Sequence, residues 1–234
     1  MTETVQQGAS PLPEKPMPIR KRLAVLTLAG GIGGLFLIPY VLIARPDIHP
    51  AYVWLGLPLG SLVVSGLCAW AGLKFADRAG LAMPYLRPWE LGQRGDRAER
   101  GWLIRVSVAT GGIFGLAGTI AYHLAGLPPH PGTFAVRVST FPFAALVPEI
   151  VAHLFVMSGL VLALKRTWIS ILLSGVVFVL LFHGGQIVAG PVPAFVWAFD
   201  YLFGVMTGWI YSRYGIEGAA LTHAVAHAIL FGMI

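Results

Sequence analysis

Long apolar runs separated by short polar connections are the dominant pattern along this chain. A helix needs about 20 apolar residues to cross a hydrocarbon core of about 30 Å. Seven runs approach or exceed that length, covering residues 23–44, 51–76, 102–127, 141–164, 168–190, 193–211 and 215–234. The pattern predicts an all-α fold, a polytopic membrane helix bundle of six or seven transmembrane helices, with six if one run is re-entrant.

The first 19 residues do not share this pattern. They are polar and rich in proline, a composition that cannot bury enough apolar surface to order itself, so we predict a disordered tail over residues 1–19. Arg20, Lys21 and Arg22 then precede the first run. That run is too long for the apolar part of a typical signal peptide, which indicates a retained first span and a single membrane domain over residues 20–234.

The composition agrees with a membrane protein. Hydrophobic residues make up 56% of the 234 residues and charged residues only 11%, whereas soluble domains carry about 25% charged residues. The apolar runs use most of the length, which leaves no room for a second, soluble domain. Cys68 is the single cysteine and lies in an apolar run, so the chain cannot form an intramolecular disulfide or a cysteine-based zinc site.

Basic residues outnumber acidic ones, 16 to 10, and they lie mainly between the apolar runs. With seven spans and a cytoplasmic N-terminus, all of them except Arg45 and Arg137 fall on the inner side. Cytoplasmic loops of membrane proteins carry such an excess, so we predict a multi-pass protein of the plasma (inner) membrane with its N-terminus in the cytoplasm. The basic residues then contact membrane lipid, and no nucleic acid partner is expected.

Glycines recur four residues apart in three of the runs. The pairs are Gly30 with Gly34, Gly111 with Gly115, and Gly204 with Gly208. Small residues at this spacing let helices approach closely in lipid, and we interpret the pairs as packing contacts.

Five ionisable residues lie inside the later runs, where such groups are costly and usually face the protein interior or a water-filled cavity. They are Glu149, His153, His183, His223 and His227. Two pairs are spaced four apart, which places the members of each pair on one helix face. At about 1.5 Å per residue, Glu149, His183 and His227 fall at one depth and the other two histidines one turn below. We predict that all five form one site.

A carboxylate and imidazoles at one depth suit more than one chemistry. A divalent metal such as zinc takes three ligands of this type and lowers the pKa of a bound water. Alternatively, Glu149 is a general base, and the histidines hold the water and the developing oxyanion. Both chemistries lead to hydrolysis. Two histidines at equal depth on facing helices are also able to ligate haem iron.

Three stretches of the chain resemble the motifs of a known family. The stretch GVMTGWIYSRYGIEGAALTHAVAH resembles the last conserved region of the CAAX protease and bacteriocin-processing (CPBP) membrane proteins, which is a Gly-rich apolar helix, a basic-Gly turn and HxxxN. The family's EExxxR motif has its counterpart in PEIVAH, where Pro148 replaces the first Glu and His153 the Arg. A register shifted by one residue instead makes Glu149 the first Glu, with Ile150 and Leu154 in the other two places. Its FxxxH motif has its counterpart at His183, with Val179 in the Phe position.

The resemblance covers most of the chain, with a CPBP-like core over about residues 102–234. It implies an intramembrane endopeptidase that cleaves a membrane-associated peptide or protein substrate. It also implies that Glu149 is the base, that His183 and His223 orient the water or contact a metal, and that His227 replaces the Asn. The histidine replacements favour a metal site built from all five residues, with zinc as the expected ion. The rival interpretation is a non-catalytic membrane protein of the same fold, such as a bacteriocin self-immunity or scaffolding factor.

Overall fold

The computed structural model describes residues 19–124, 126, 131–183 and 193–233, without the side chains of Phe182 and His183. The predicted tail, apart from residue 19, lies outside the described residues. Helices make up the fold, with no strand in the described part of the chain, so the predicted all-α class is confirmed. They are α1 (Arg20–Ala44), α2 (Pro50–Ala79), α3 (Leu86–Glu90), α4 (Arg97–Leu124), α5 (Phe134–Ser139), α6 (Phe141–Glu149), α7 (Ser158–Leu164), α8 (Thr167–His183) and α9 (Ala194–Met233). A π-helical segment, Ile150–Met157, joins α6 to α7.

Five helical stretches within the described ranges are long and apolar enough to cross a membrane. They are Arg20–Ala44, Pro50–Ala79, Arg97–Leu124, Phe134–Leu164 and Ala194–Met233. The apolar helix Thr167–Leu181 is shorter. These lengths and compositions indicate a membrane-embedded protein and agree with the predicted polytopic helix bundle.

The last stretch, α9, contains a sharp break at Gly215. Its φ of 70° and ψ of −171° lie in a region that essentially only glycine adopts, and a Cβ there would collide with the carbonyl oxygen of Ala82. The break lets α9 fold back on itself. The rings of Phe203 and His223 are 5.1 Å apart, whereas 20 residues of straight helix span about 30 Å. The two halves, which correspond to the predicted sixth and seventh runs, are α9a (residues 194–214) and α9b (residues 216–233).

Glycines allow the closest contacts between helices. In α1, a Cβ at Gly34 would lie 2.7 Å from the carbonyl oxygen of Leu57 in α2. In α4, a Cβ at Gly115 would lie 2.8 Å from the carbonyl oxygen of Ala226 in α9b. A side chain at either position would push the helices apart and remove the van der Waals contact that holds helices together in lipid. The packing interpretation of these two glycine pairs therefore agrees with the structure.

A charged cluster ties α1, α2 and α3 together at one end of the bundle. The guanidinium of Arg22, with 0% exposure, donates to the two carboxylate oxygens of Asp77 at 2.9 and 2.8 Å and also to Glu90. Arg87 donates to Asp77 at 2.9 Å. In the sequence Arg22 is one of three basic residues flanking a span. The structure buries it because two carboxylates accept its hydrogen bonds.

Candidate active site

Glu149 is the centre of the site and has 0% exposure. It is the last residue of α6, and its two carboxylate oxygens contact histidines on different elements. Oε2 lies 2.6 Å from Nδ1 of His153 in the π-helical segment, and Oε1 lies 2.9 Å from Nδ1 of His223 in α9b. Both rings are also buried, with 0% and 1% exposure. One carboxylate thus joins three of the five predicted residues.

His153 uses both of its ring nitrogens. Its Nε2 lies 3.0 Å from the carbonyl oxygen of Gly204 in α9a. Because a carbonyl only accepts hydrogen bonds, Nε2 carries a hydrogen, while Nδ1 faces the carboxylate of Glu149. A metal ligand needs a nitrogen lone pair, so His153 as placed does not fit the predicted metal site. It instead connects α6 and the π-helical segment to the backbone of α9a.

Glycines of α9a make room for the His153 ring. A Cβ at Gly208 would lie 3.2 Å from Nε2 of His153, and one at Gly204 would lie 2.9 Å from Cβ of Phe178. A side chain at Gly208 would therefore press on the imidazole that Gly204 binds. The third predicted glycine pair serves the site as well as helix packing.

The π-helical segment that carries His153 is supported from both ends. Such segments are rare and frequently occur at functional sites. Pro148, just before the segment, lacks a backbone N–H and so removes one α-helical hydrogen bond. Just after the segment, the Ser158 hydroxyl lies 3.5 Å from the carbonyl oxygen of His153 and 2.7 Å from the hydroxyl of Tyr211. No local sequence pattern indicates the Ser158–Tyr211 pair, because its members are 53 residues apart.

Aromatic rings surround His223. The ring centres of Phe203 and Phe178 are 5.1 and 5.4 Å from that of His223. His227 lies one turn later in α9b, with its ring centre 5.6 Å from that of His223 and 4.0 Å from that of Phe231, on which it stacks. His227 therefore extends the site along α9b.

The structure brings some of the five predicted site residues together and leaves others untested. Glu149, His153 and His223 are in direct contact, and His227 adjoins them through the ring of His223. The side chain of His183 lies outside the described residues, so its place in the site stays a prediction. The depths predicted from the sequence placed Glu149 level with His227. In the structure, the Glu149 carboxylate instead contacts His153 and His223, which were predicted to lie one turn lower.

The predicted metal site finds limited support in the geometry. Among the described side chains, no group of three His, Cys, Asp or Glu is arranged to hold a metal ion. His183 is not among those side chains, so a metal site that includes it stays a prediction. Zinc bound at Glu149 and His223 would also compete with the hydrogen bond that joins them.

Comparisons of the chain with known protein families, with characterised proteins and with solved structures found no match. The resemblance to the CPBP proteases therefore rests on the motif residues alone and stays a prediction.

Proposed function

We propose that the protein is a CPBP-like intramembrane endopeptidase in which Glu149 is the general base. The observation that carries this proposal is the fully buried carboxylate of Glu149 between the imidazoles of His153 and His223. An ionisable group inside a membrane bundle is costly and is usually kept for function. The proposed substrate is a peptide segment of a membrane-associated protein.

In the proposed reaction, Glu149 accepts a proton from a water molecule. The resulting hydroxide attacks the carbonyl carbon of the scissile peptide bond and forms a tetrahedral oxyanion, which hydrogen-bond donors stabilise. The proton held by Glu149 passes to the amide nitrogen as the intermediate collapses and the C–N bond breaks, so the leaving group departs as a neutral amine and the carboxylate is regenerated.

The histidines have different proposed roles. His153 stands where the resembling motif has Arg, and it is a positioning residue that links the Glu149 carboxylate to the backbone of α9a. His223 contacts the other oxygen of Glu149 and is proposed to orient the water. The resemblance adds His183 to that role and puts His227 in the place of the Asn.

A divalent metal such as zinc is a variant of the same proposal. Its ligands would come from Glu149, His183, His223 and His227, and the ion would supply a bound water of lowered pKa. His153 is left out of this set because oxygen atoms face both of its ring nitrogens.

The proposed location is the plasma (inner) membrane, with the N-terminus in the cytoplasm. Most basic residues lie on the side that this orientation makes cytoplasmic, in the manner typical of multi-pass proteins.

A non-catalytic membrane protein of the same fold is the second candidate. Both oxygens of Glu149 contact histidines and the residue is fully buried, an arrangement that also suits a structural link between α6 and α9b.

A haem protein is favoured less, because the Glu149 carboxylate lies between the two imidazoles and Phe178 and Phe203 pack against His223. A colourless purified protein, without a Soret band, would remove the haem candidate.

Peptide cleavage by purified variants separates an endopeptidase from a non-catalytic protein. The probe is a library of quenched-fluorescent peptides that each carry an apolar segment, presented in detergent micelles. We expect the wild type to cleave a subset of the library and Glu149→Gln to lower the rate about 10²–10⁴-fold, the usual contribution of a general base.

The matched control is Glu217→Gln. Glu217 is another carboxylate of α9b, and its Oε1 accepts hydrogen bonds from the backbone N–H groups of Tyr85 and Leu86 at 3.2 and 2.8 Å, contacts that an amide oxygen preserves. We expect this variant to cleave at the wild-type rate. Folded wild type that cleaves no peptide of the library, or a Glu149→Gln protein as active as wild type, would contradict the endopeptidase.

A further inference from the structure

Three acidic residues at the end of the bundle that holds Arg22 turn inward. Asp77 and Glu90 bind Arg22 and expose only 15% and 3% of their side chains, and Glu217 accepts hydrogen bonds from the backbone at the start of α3. These contacts withdraw three carboxyl groups from the surface.

Most basic side chains at the same end point outward. Eight exposed ones, which we call the basic belt, are Arg20, Lys21, Arg78, Arg94, Arg97, Lys165, Arg166 and Arg213. A Cβ at Gly159 would lie 3.4 Å from the ring of Phe75, so α7 runs beside α2 and brings Lys165 and Arg166 to the end that holds Arg78. Two acidic residues, Asp96 and Glu99, are also exposed there, so the described surface at this end keeps an excess of positive charge.

Exposed tryptophans accompany the basic belt. Trp89, Trp102 and Trp168 are 51%, 56% and 61% exposed, and the ammonium group of Lys21 lies 5.8 Å from the ring centre of Trp89. Tryptophan is enriched at the headgroup level of membranes. The aromatic rings therefore place the basic belt at the depth of lipid phosphates.

The opposite end of the bundle presents a different charge arrangement. Arg45 donates to the carboxylate oxygens of Asp47 at 2.9 and 2.8 Å, and both side chains are exposed. This pair neutralises itself at the surface. Because the pair has no net charge, it does not favour anionic over zwitterionic lipids.

We propose that the basic belt binds the headgroups of anionic phospholipids in the surrounding leaflet. Juxtamembrane Lys and Arg are attracted to anionic leaflets, and each changes the affinity about fivefold. The inward acidic residues matter here, because carboxylates on the surface would repel lipid phosphates. This preference does not depend on whether the protein is a peptidase.

Tryptophan quenching by brominated lipids tests the proposal at both ends of the bundle. Two single-tryptophan proteins, one keeping Trp89 and one keeping Trp54, are reconstituted in phosphatidylcholine vesicles. The two reporters are matched in exposure, at 51% and 57%, and Trp54 lies near the start of α2, at the end that holds Arg45. We expect brominated phosphatidylglycerol to bind several-fold more strongly than brominated phosphatidylcholine around Trp89, and equally around Trp54.

Charge removal and competition complete the test. Arg94→Gln with Arg97→Gln should lower the preference at Trp89 by up to about fivefold for each charge removed, and Arg45→Gln should leave it unchanged.

Native mass spectrometry of the unaltered protein, in which phosphatidylglycerol adducts should outlast phosphatidylcholine adducts, covers the case in which the single-tryptophan proteins fail to fold. Equal quenching by both lipids at Trp89 would overturn the proposal. Loss of the preference in inorganic phosphate, but not in chloride of equal ionic strength, would instead indicate a free-anion site and also overturn it.

Discussion

Two buried carboxylate clusters in this bundle use different partners. In the charged cluster, Asp77 and Glu90 bind the guanidinium group of Arg22, which stays charged under all conditions in which proteins fold. In the candidate site, Glu149 contacts the imidazoles of two histidines, and an imidazole gains or loses its proton near neutral pH. The first cluster is suited to holding helices together and the second to moving a proton.

This difference leads us to expect opposite responses to substitution. Without Arg22, the buried carboxylate of Glu90 loses its salt bridge and that of Asp77 keeps only Arg87. In Glu149→Gln, the site keeps a side-chain oxygen that still accepts a hydrogen bond from an imidazole but no longer accepts a proton from water. Stability should therefore depend mainly on the charged cluster and activity mainly on the site.

The largest loss of stability is expected for Arg22→Ala. Breaking a buried ion pair by removing one partner costs about 3–5 kcal/mol, because Asp77 and Glu90 lose the group that binds them. Helical content measured by circular dichroism during SDS titration of the protein in micelles gives the free energy of unfolding.

Arg45→Ala is the matched control for this substitution. It also removes an arginine bound to a carboxylate, but both members of that pair are exposed, and exposed pairs contribute little to stability. If Arg22→Ala unfolds at the same SDS fraction as Arg45→Ala, the charged cluster does not hold α1, α2 and α3 together.

A smaller effect is expected for His153→Leu. The substitution leaves Oε2 of Glu149 without its donor, whereas the Gly204 carbonyl keeps the Thr207 hydroxyl at 3.2 Å, and one unsatisfied buried group costs about 1–3 kcal/mol. His153→Gln keeps an N–H donor for one of these oxygens, so it should be the more stable variant in the same titration and retain more cleavage activity. Equal stability and activity of the two variants would show that hydrogen bonding by His153 is unimportant.

The smallest effect is expected for Ser158→Ala. The variant loses the hydroxyl that contacts Tyr211 and the end of the π-helical segment, which should lower the free energy of unfolding by about 0.5–1.5 kcal/mol. Ser212→Ala is the control, because the Ser212 hydroxyl donates to the carbonyl oxygen of Trp209 within its own helix and its loss should change little. Identical titration curves for the two variants would mean that Ser158 does not support the segment.

Much of the fold follows from local sequence patterns. Apolar runs predict where helices cross lipid, since the requirement for about 20 apolar residues applies to each run separately. The division of α9 near Gly215 was also predictable, because the two runs on either side meet at a polar stretch, SRYG. The meeting of Glu149, His153 and His223 was predictable because ionisable residues in spans turn toward the interior.

Contacts between distant parts of the chain were not predictable in the same way. The burial of Arg22 depends on Glu90, 68 residues away, and a basic residue before a span looks the same whether it faces water or a carboxylate. The partner of His153 in α9a is the backbone carbonyl of Gly204, which no side-chain pattern reveals. The Ser158–Tyr211 contact requires the packing of two helices before its members meet.

The most direct test of the central claim, that the Glu149 carboxylate accepts hydrogen bonds from two imidazoles, is ¹⁵N NMR spectroscopy of histidine-labelled protein. Single histidine substitutions assign the signals, and Glu217→Gln serves as the control. We expect Nδ1 of His153 and of His223 to be protonated in the wild type, with both signals shifted in Glu149→Gln and unchanged in the control. Identical histidine spectra of wild type and Glu149→Gln would contradict the claim.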